Sequence, residues 1–469
     1  MKTCKINISE INIFKSRLDG NYHLSDAQIV KKMIAASPWP LTTIGKVSNR
    51  IWHPTRWKRV YVGNPSSGVT LLGSAAMLKS DLSGEKLVSK KYTEDLQDKL
   101  LNSDWILISC SGTIGNCVFT NNQYLGKLAS QHIIRINPKN IIKGGFIYAY
   151  LSSKFGYVML TQGTAGSVIQ HIEPEYVEAI EIPNFPLDFQ EKIDRMIKEA
   201  SQLRDKASQM LKDAEKIFKQ KSNLEDLKPE DYNYFGTHSF NRKITSYKKN
   251  ISEIGSITFN AFNHSEKIEK IKQRISNSVK LSEILLGNTT FSTGSFPRVE
   301  VKAPNGVMLI NQTDAFDNII KGKNISLRKV NLTNLVEYGE VIVAGVGTLG
   351  ENESFCRTLF ANEDFEGQLI SGEFIRMKTN DKVPSGYLFT WLNSDYGFRF
   401  IRHIHTGTKL CRPIPKLFLE IPIPILKKEE MDEIDRLVKA AHTKRHKANK
   451  LELEAISLVE CEIEKWTKE

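Results

Sequence analysis

Between Leu41 and Val60 lie Lys46, Arg50, Arg56, Lys58 and Arg59, interleaved with Trp52, His53 and Trp57 and with no acidic residue. Five cations without a counter-charge repel one another unless an anion is near, and rings among them can pack on sugars or bases. That is the chemistry of a nucleic-acid contact, and Arg50, Arg56, Trp57, Lys58 and Arg59 are its candidates. A solvated basic edge whose tryptophans face the core would leave the same pattern.

Further along, Gln131 and His132 close the run Leu128-Ala129-Ser130-Gln131-His132 with groups that both donate and accept. A glutamine amide can pair bidentately with adenine, while a strand-end glutamine satisfied by backbone is the alternative. Gln170 and His171 end a small polar loop, and Thr113 sits in a glycine turn. In the second half of the chain Arg402, His403, His405, Lys409 and Arg412 fall in a stretch with no acid between Phe398 and Phe418. This is the second DNA-facing candidate, joined by Arg298 and Thr348.

No catalytic constellation accompanies these residues. There is no phosphate-binding loop with a following Lys-Ser/Thr, since Gly347-Thr348-Leu349-Gly350 lacks the lysine. Asn64-Pro65-Ser66-Ser67 begins like an adenine-methyltransferase motif but lacks the second proline and the aromatic that stacks a flipped base. Glu300-Val301-Lys302, with Glu283 upstream, matches the end of a metal-dependent nuclease motif, a pattern frequent by chance. The six cysteines, Cys4, Cys110, Cys117, Cys356, Cys411 and Cys461, form no CxxC pair. They read as reduced thiols, and no metal site is expected.

The elements that must carry the candidates occur twice. Ser111-Gly112-Thr113-Ile114-Gly115 returns 235 residues later as Val346-Gly347-Thr348-Leu349-Gly350, each time after a short apolar run. Ile133-Ile134-Arg135-Ile136 returns 241 residues later as Phe374-Ile375-Arg376-Met377, and Gly145 to Ser153 returns at the same offset as Gly386 to Ser394. One offset held from about residue 17 to about residue 200 indicates a duplicated domain, with insertions and deletions near the glycine turn. The apolar runs at 69–72, 106–108, 117–120 and 133–136, separated by turn residues, predict a twisted sheet or partly closed barrel. A helix is expected from a capping box at Ser25 to Ser37, and another from Phe146 to Leu160. Apolar or small residues every three or four positions from Ile193 to Phe218, and from Ile434 to Val459, predict two long helices packed on each other as an antiparallel coiled coil. Lys198, Arg204, Lys206, Lys444 and Arg445 would lie on their outer faces, free for a partner.

The fold class is therefore α+β, with two pseudo-repeated domains, mainly β with flanking helices, separated by the two long helices. Boundaries fall at 1–186 for the first domain, 187–228 for the first long helix, 229–425 for a linker and the second domain, and 426–469 for the second long helix. A formal charge of +12 and a sequence pI near 9.1 favour a polyanionic partner over an acidic metabolite. With no signal-like segment and no run of eighteen apolar residues, a cytoplasmic protein with no membrane partner is expected.

The strand into Ser-Gly-Thr-Ile-Gly, the Ala-Ser-Gln-His-Ile-Ile-Arg-Ile run, the Gly-Phe-Ile-Tyr-Ala-Tyr-Leu-Ser-Ser helix and the Gly-Ser-Val-Ile-Gln-His-Ile loop resemble specificity subunits of type I restriction-modification systems. The first copy matches closely from Ser109 to Ile197. The second departs, with Leu369-Ile370-Ser371-Gly372-Glu373 in place of the Ala-Ser-Gln-His run and Arg412-Pro413 in place of His-Ile. The resemblance implies a non-catalytic chain whose target-recognition domains each read one half of a bipartite double-stranded DNA site. It implies helices that set the spacing and dock two adenine-methyltransferase subunits, with motor-nuclease restriction subunits joining for cleavage. S-adenosylmethionine, ATP and Mg2+ would then sit on the partners and no cofactor on this chain. The alternative is a DNA-binding adaptor or stand-alone binder in another defence or nuclease assembly.

Overall fold

The computed structural model describes residues 26–139, 141–162, 171–232, 248–254 and 257–466, which form an α+β structure. Two compact units divide the chain: Met1–Asp205 with Lys447–Glu469, and Lys206–His446. Among the described residues no helix is long and apolar enough to cross a membrane.

In the first unit, a helix over Asp26–Ala35 buries Ala27, Val30 and Ile34 on one face. Its proposed cap, Ser25, lies outside the described residues. The strands are β1 (Leu41–Thr43), β2 (Ser48–Trp52), β3 (Tyr61–Val62), β4 (Gly68–Leu72), β5 (Leu87–Ser89), β6 (Ile106–Ser109), β7 (Cys117–Phe119), β8 (Leu128–Ala129), β9 (Ile133–Pro138) and β10 (Glu181–Pro183). They pair in the orders β2-β9-β6-β7, β3-β5-β4-β8 and β1-β10, antiparallel except for β4 with β8. Strand β6 reads as an unbroken apolar run because both its faces are covered. Ile106 and Ile108 enter one core with Ile134, Ile136 and Phe146, while Leu107 enters another with Leu72, Met77 and Val118.

The helix expected from Phe146 to Leu160 is in fact two, Gly144–Ser152 and Lys154–Gln162. The Ser153 hydroxyl donates to Tyr150 O at 2.6 Å and accepts from Gly156 N at 3.1 Å, which ends one helix and starts the next. Gly156 permits the tight join, since a Cβ there would stand 2.2 Å from Tyr150 O. Periodicity carries straight through such a break, so the apolar spacing alone could not reveal it.

The second unit repeats this plan. Its strands are β11 (Ser278–Lys280), β12 (Val307–Ile310), β13 (Lys323–Ile325), β14 (Val341–Ala344), β15 (Thr358–Phe360), β16 (Leu369–Ile370), β17 (Phe374–Met377), β18 (His405–Thr406), β19 (Arg412–Pro413) and β20 (Pro422–Pro424). The order β15-β14-β17 corresponds to β7-β6-β9, and β13-β12-β16 to β5-β4-β8, including the parallel edge. Single bridges at Phe291–Arg376 and Glu300–Ile325 stand where β2 and β3 stand in the first unit. Ser394 and Gly397 repeat the helix break, with the hydroxyl 2.6 Å from Trp391 O and 3.3 Å from Gly397 N. Gly145 N donates to Asp194 Oδ1 at 2.8 Å, and Gly386 N donates to Asp435 Oδ1 at 2.8 Å, so each repeat is tied identically to its own long helix.

The long helices are Leu187–Lys221 and Lys428–Lys465, and each contributes residues to both units. Within the first unit they run antiparallel: Phe185 meets Trp466 with ring centroids 5.4 Å apart, and Glu199 meets Lys447 at 2.8 Å. Ala200, Leu203, Ala448 and Leu451 fill the seam there. In the second unit Ala214, Phe218, Ile434 and Val438 join one core, and Lys221 pairs with Glu430 at 3.1 Å. The first helix stops at Lys221, short of the expected 228. Asn223 turns left-handed at φ +53, and Leu224 N returns to Lys219 O at 2.9 Å, closing the C-terminus.

One helix residue departs from its expected place. Arg204 is buried, not on an outer face: it donates to the Glu452 carboxylate and, at 2.8 Å, to Asn449 Oδ1, while Tyr148 Oη donates to Glu452 at 2.6 Å. The counter-charge comes from 248 residues away, where no local pattern could show it. Lys206 is exposed, Lys198 pairs with Asp194 at 2.8 Å, and Lys444 and Arg445 are half-buried.

Candidate nucleic-acid interface

In the first unit the hairpin between β6 and β7 is a true glycine turn, with Gly112 at φ +78 and Gly115 at φ +82. A bridge between Ser111 and His171 brings this turn against the end of the polar loop. The end of β8 delivers Gln131 and His132 to the same place.

These residues form a directed chain. Arg59 donates to Gln131 Oε1, and a guanidinium can only donate, so the amide nitrogen of Gln131 faces His132. That nitrogen lies 2.9 Å from His132 Nε2, which therefore accepts, and His132 Nδ1 must carry the proton that it shares with Ser111 Oγ at 2.6 Å. Burial first, then the charges of Arg59, His171, His53 and Arg56, holds the His132 pKa below its ordinary value. The neutral ring leaves Ser111 O–H and the second amide hydrogen of Gln131 to donate outward. Arg59 also lies 5.2 Å from the Trp57 ring centroid, which braces the guanidinium.

Around this chain Arg56, Lys58 and Thr113 are exposed. Arg50 also reaches the surface but pairs with Asp98 at 2.6 Å and lies 4.4 Å from the Trp52 ring centroid. Gln170 lies outside the described residues. His53, one of the rings of the basic stretch, gathers beside His171 with Glu173, which the reading of single stretches did not single out.

In the second unit a bridge between Gly347 and Cys411 brings that turn to the corresponding loop. Arg298 lies 5.9 Å from the Phe296 ring centroid, repeating the Arg59 and Trp57 arrangement. Thr348, Lys409 and Arg412 are exposed, as is Glu373 in the place of His132. Gly372 replaces Gln131 for a steric reason, since a Cβ there would stand 2.6 Å from Gly294 O.

Three candidates are corrected. Arg402 is 2% exposed, donates to Leu349 O and, at 3.2 Å, to Gly350 O, and pairs with Glu351 at 3.5 Å. It holds the second unit's glycine turn from behind. His403 and His405 are buried against Phe262, with ring centroids 5.7 and 5.0 Å away, and His405 Nδ1 donates to Arg402 O at 2.8 Å. The stretch looked uncompensated because its counter-charge, Glu351, which also meets Arg399 at 2.8 Å, is remote in sequence. Burial lowers the His403 pKa to about 3.

Comparison with known proteins bears on this geometry. No curated protein matches the chain by sequence. Solved structures that align with it include a type I restriction-modification system S subunit from M. genitalium, at 13% identity over 91% of this chain and 95% of that one, with TM-score 0.33. An HsdS subunit from Thermoanaerobacter tengcongensis aligns at 13% identity over 91% and 96%, with TM-score 0.27. A chain from a structure of type I R-M complex assembly and conformational transition aligns at 15% identity over 92% and 98%, with TM-score 0.28. Residues 74–209, which hold the glycine turn, Gln131, His132 and His171, match the family model for the type I restriction modification DNA specificity domain. What this chain shares with the type I restriction modification DNA specificity domain thus lies in residues 74–209, the stretch that carries most of the first unit's candidate interface.

Proposed function

We propose that this chain is the sequence-reading subunit of a type I restriction-modification complex. Each unit reads one half of a bipartite site in double-stranded DNA, and the two long helices, as an antiparallel coiled coil, set the spacing between the halves. The reading rests on one observation above the others: a repeated frame presents different polar groups at the same place. On a shared frame of Arg59 and Arg298, Thr113 and Thr348, the first unit presents Ser111, Gln131, His132 and His171 where the second presents Val346, Gly372, Glu373 and Arg412. A conserved scaffold with exchanged donors and acceptors is what two different half-sites require.

In this reading exposed Arg56, Lys58, Arg298, Lys409 and Arg412 and half-buried Arg59 hold phosphates, while Gln131, Ser111, His171, Thr113 and Thr348 face base edges and His132 orients Gln131 and Ser111. Catalysis belongs to partners: two adenine-methyltransferase subunits carrying S-adenosylmethionine, and motor-nuclease subunits using ATP and Mg2+. Lys198, Lys206, Lys444 and Arg445 are the helix residues offered to those partners.

The test is methylome sequencing of a host with and without the gene, coupled to copurification. A split adenine-methylated motif that vanishes with the gene, together with a stable methyltransferase complex, is the expected result. Tight DNA binding with no methyltransferase partner would instead assign the chain to another assembly.

A further inference from the structure

His53 follows β2, and His171 and Glu173 follow the polar loop. Together they place two imidazole nitrogens and a carboxylate oxygen within 4.8 Å of one another. His53 Nε2 is 3.6 Å from one Glu173 oxygen, and His171 Nε2 is 3.7 Å from the other. Tetrahedral ligands at zinc bond lengths of about 2.0–2.1 Å stand roughly 3.3 Å apart, so small side-chain rotations would close the set around one ion. We propose that His53, His171 and Glu173 bind a single divalent transition ion of the zinc class.

A second observation supports the site. His53 Nδ1 lies 3.2 Å from Pro54 O, and a carbonyl oxygen can only accept, so Nδ1 carries the proton. Nε2, on the Glu173 side, is then left with its lone pair in the neutral ring. A histidine ligand whose other nitrogen donates to a backbone carbonyl is the usual outer-shell arrangement of a metal site. The two rings stand edge to face at 77° with centroids 5.9 Å apart, so they do not stack over the space between them. Two imidazoles with one carboxylate favour zinc or cobalt over magnesium, which prefers oxygen ligands throughout. Three protein ligands leave a fourth position for water. The ion would clasp the end of β2 to the segment that begins at His171, beside the Gln131 and His132 wall, and would hold the His171 imidazole in place of the base contact proposed for it above.

The test titrates the full-length chain with Co2+ and Zn2+ in competition with a chromophoric chelator. One ion per chain is expected, with visible cobalt d–d bands and no thiolate charge-transfer band. His53→Gln, His171→Ala and Glu173→Gln should each weaken binding at least tenfold while metal-free circular dichroism and melting stay unchanged. Cys461→Ser, which alters an exposed thiol, should leave binding intact. No bound ion, a thiolate band, or equal binding in wild type and in folded His53→Gln and Glu173→Gln variants would overturn the site.

Discussion

Arg376 grips Glu340 through two parallel hydrogen bonds, Nε to Oε2 and Nη2 to Oε1, each 2.8 Å long, with both side chains 1% exposed. Nη1 and Nη2 also donate to the Asn334 and Leu335 carbonyls at 2.8 and 2.9 Å, so the guanidinium stitches β17 to the segment before β14. Arg135, its counterpart 241 residues earlier, is equally buried but donates to the Ile133 and Ala129 carbonyls, and burial lowers its pKa to about 10. Glu340→Ala should therefore cost roughly 3–5 kcal/mol, because it strands a buried charge. Urea denaturation would show this, and an unchanged midpoint would mean that the pair contributes nothing.

Arg59 and Arg298 occupy corresponding places over aromatic rings, and phosphate contact is the role proposed for both. Changing either to alanine should weaken binding to every duplex and reduce the slope of log K against log salt by about 0.9 per lost phosphate. Fluorescence anisotropy across a salt series measures it. A slope equal to wild type would exclude phosphate contact.

Gln131→Ala should behave differently, because reading a base edge is the role proposed for its amide. Preference should relax at one base pair, by roughly 1–3 kcal/mol, with little change at the other half-site. Competition binding against singly substituted duplexes resolves this, and a uniform loss at all positions would remove Gln131 from direct reading.

The basic stretch of the second unit should split into two classes. Arg402→Ala should lower the melting temperature, since it unpins the glycine turn and strips Glu351 of a partner, costing about 2–4 kcal/mol. Lys409→Ala and Arg412→Ala are surface changes that should spare stability and weaken DNA binding. The opposite pattern, with Arg402→Ala stable and defective only in binding, would restore Arg402 to the interface.

Acid should destabilise the second unit through His403. Its folded pKa is depressed to about 3 against an ordinary 6.5, so below pH 6.5 the unfolded chain takes up a proton that the folded chain refuses. That contribution is complete above pH 6.5 and is lost progressively as pH falls toward 3, by about 1.4 kcal/mol per pH unit at most. His442, pushed well down by its burial, adds in the same direction. Denaturation of wild type and His403→Gln between pH 7 and 5 should show a shallower pH slope in the variant, and parallel slopes would refute the assignment.

The duplication, the strand runs, the glycine turn and the two long helices were legible in the sequence because each is written locally, as a repeat offset, an apolar run or a three-to-four period. Burial at β6 and the seam residues Ala200, Ala214 and Ala448 follow directly from those patterns. The helix break at Ser153 and the stop at Asn223 were not legible, since one depends on a serine hydroxyl bonded to the backbone and the other on a single left-handed residue, and both leave the periodicity intact.

For the candidate site, the amino-acid sequence alone determined which residue types arrive and roughly on which loops. Only the tertiary structure decided which cations face water. Arg59, Lys409 and Arg412 reach the surface, whereas Arg204 and Arg402 are consumed by Glu452 and Glu351. It also decided that Arg59, Gln131, His132 and Ser111 form one hydrogen-bonded chain. The physical reason is that charge pairing and hydrogen bonding act through space over about 3–4 Å, and a fold can bring together partners from anywhere in the chain.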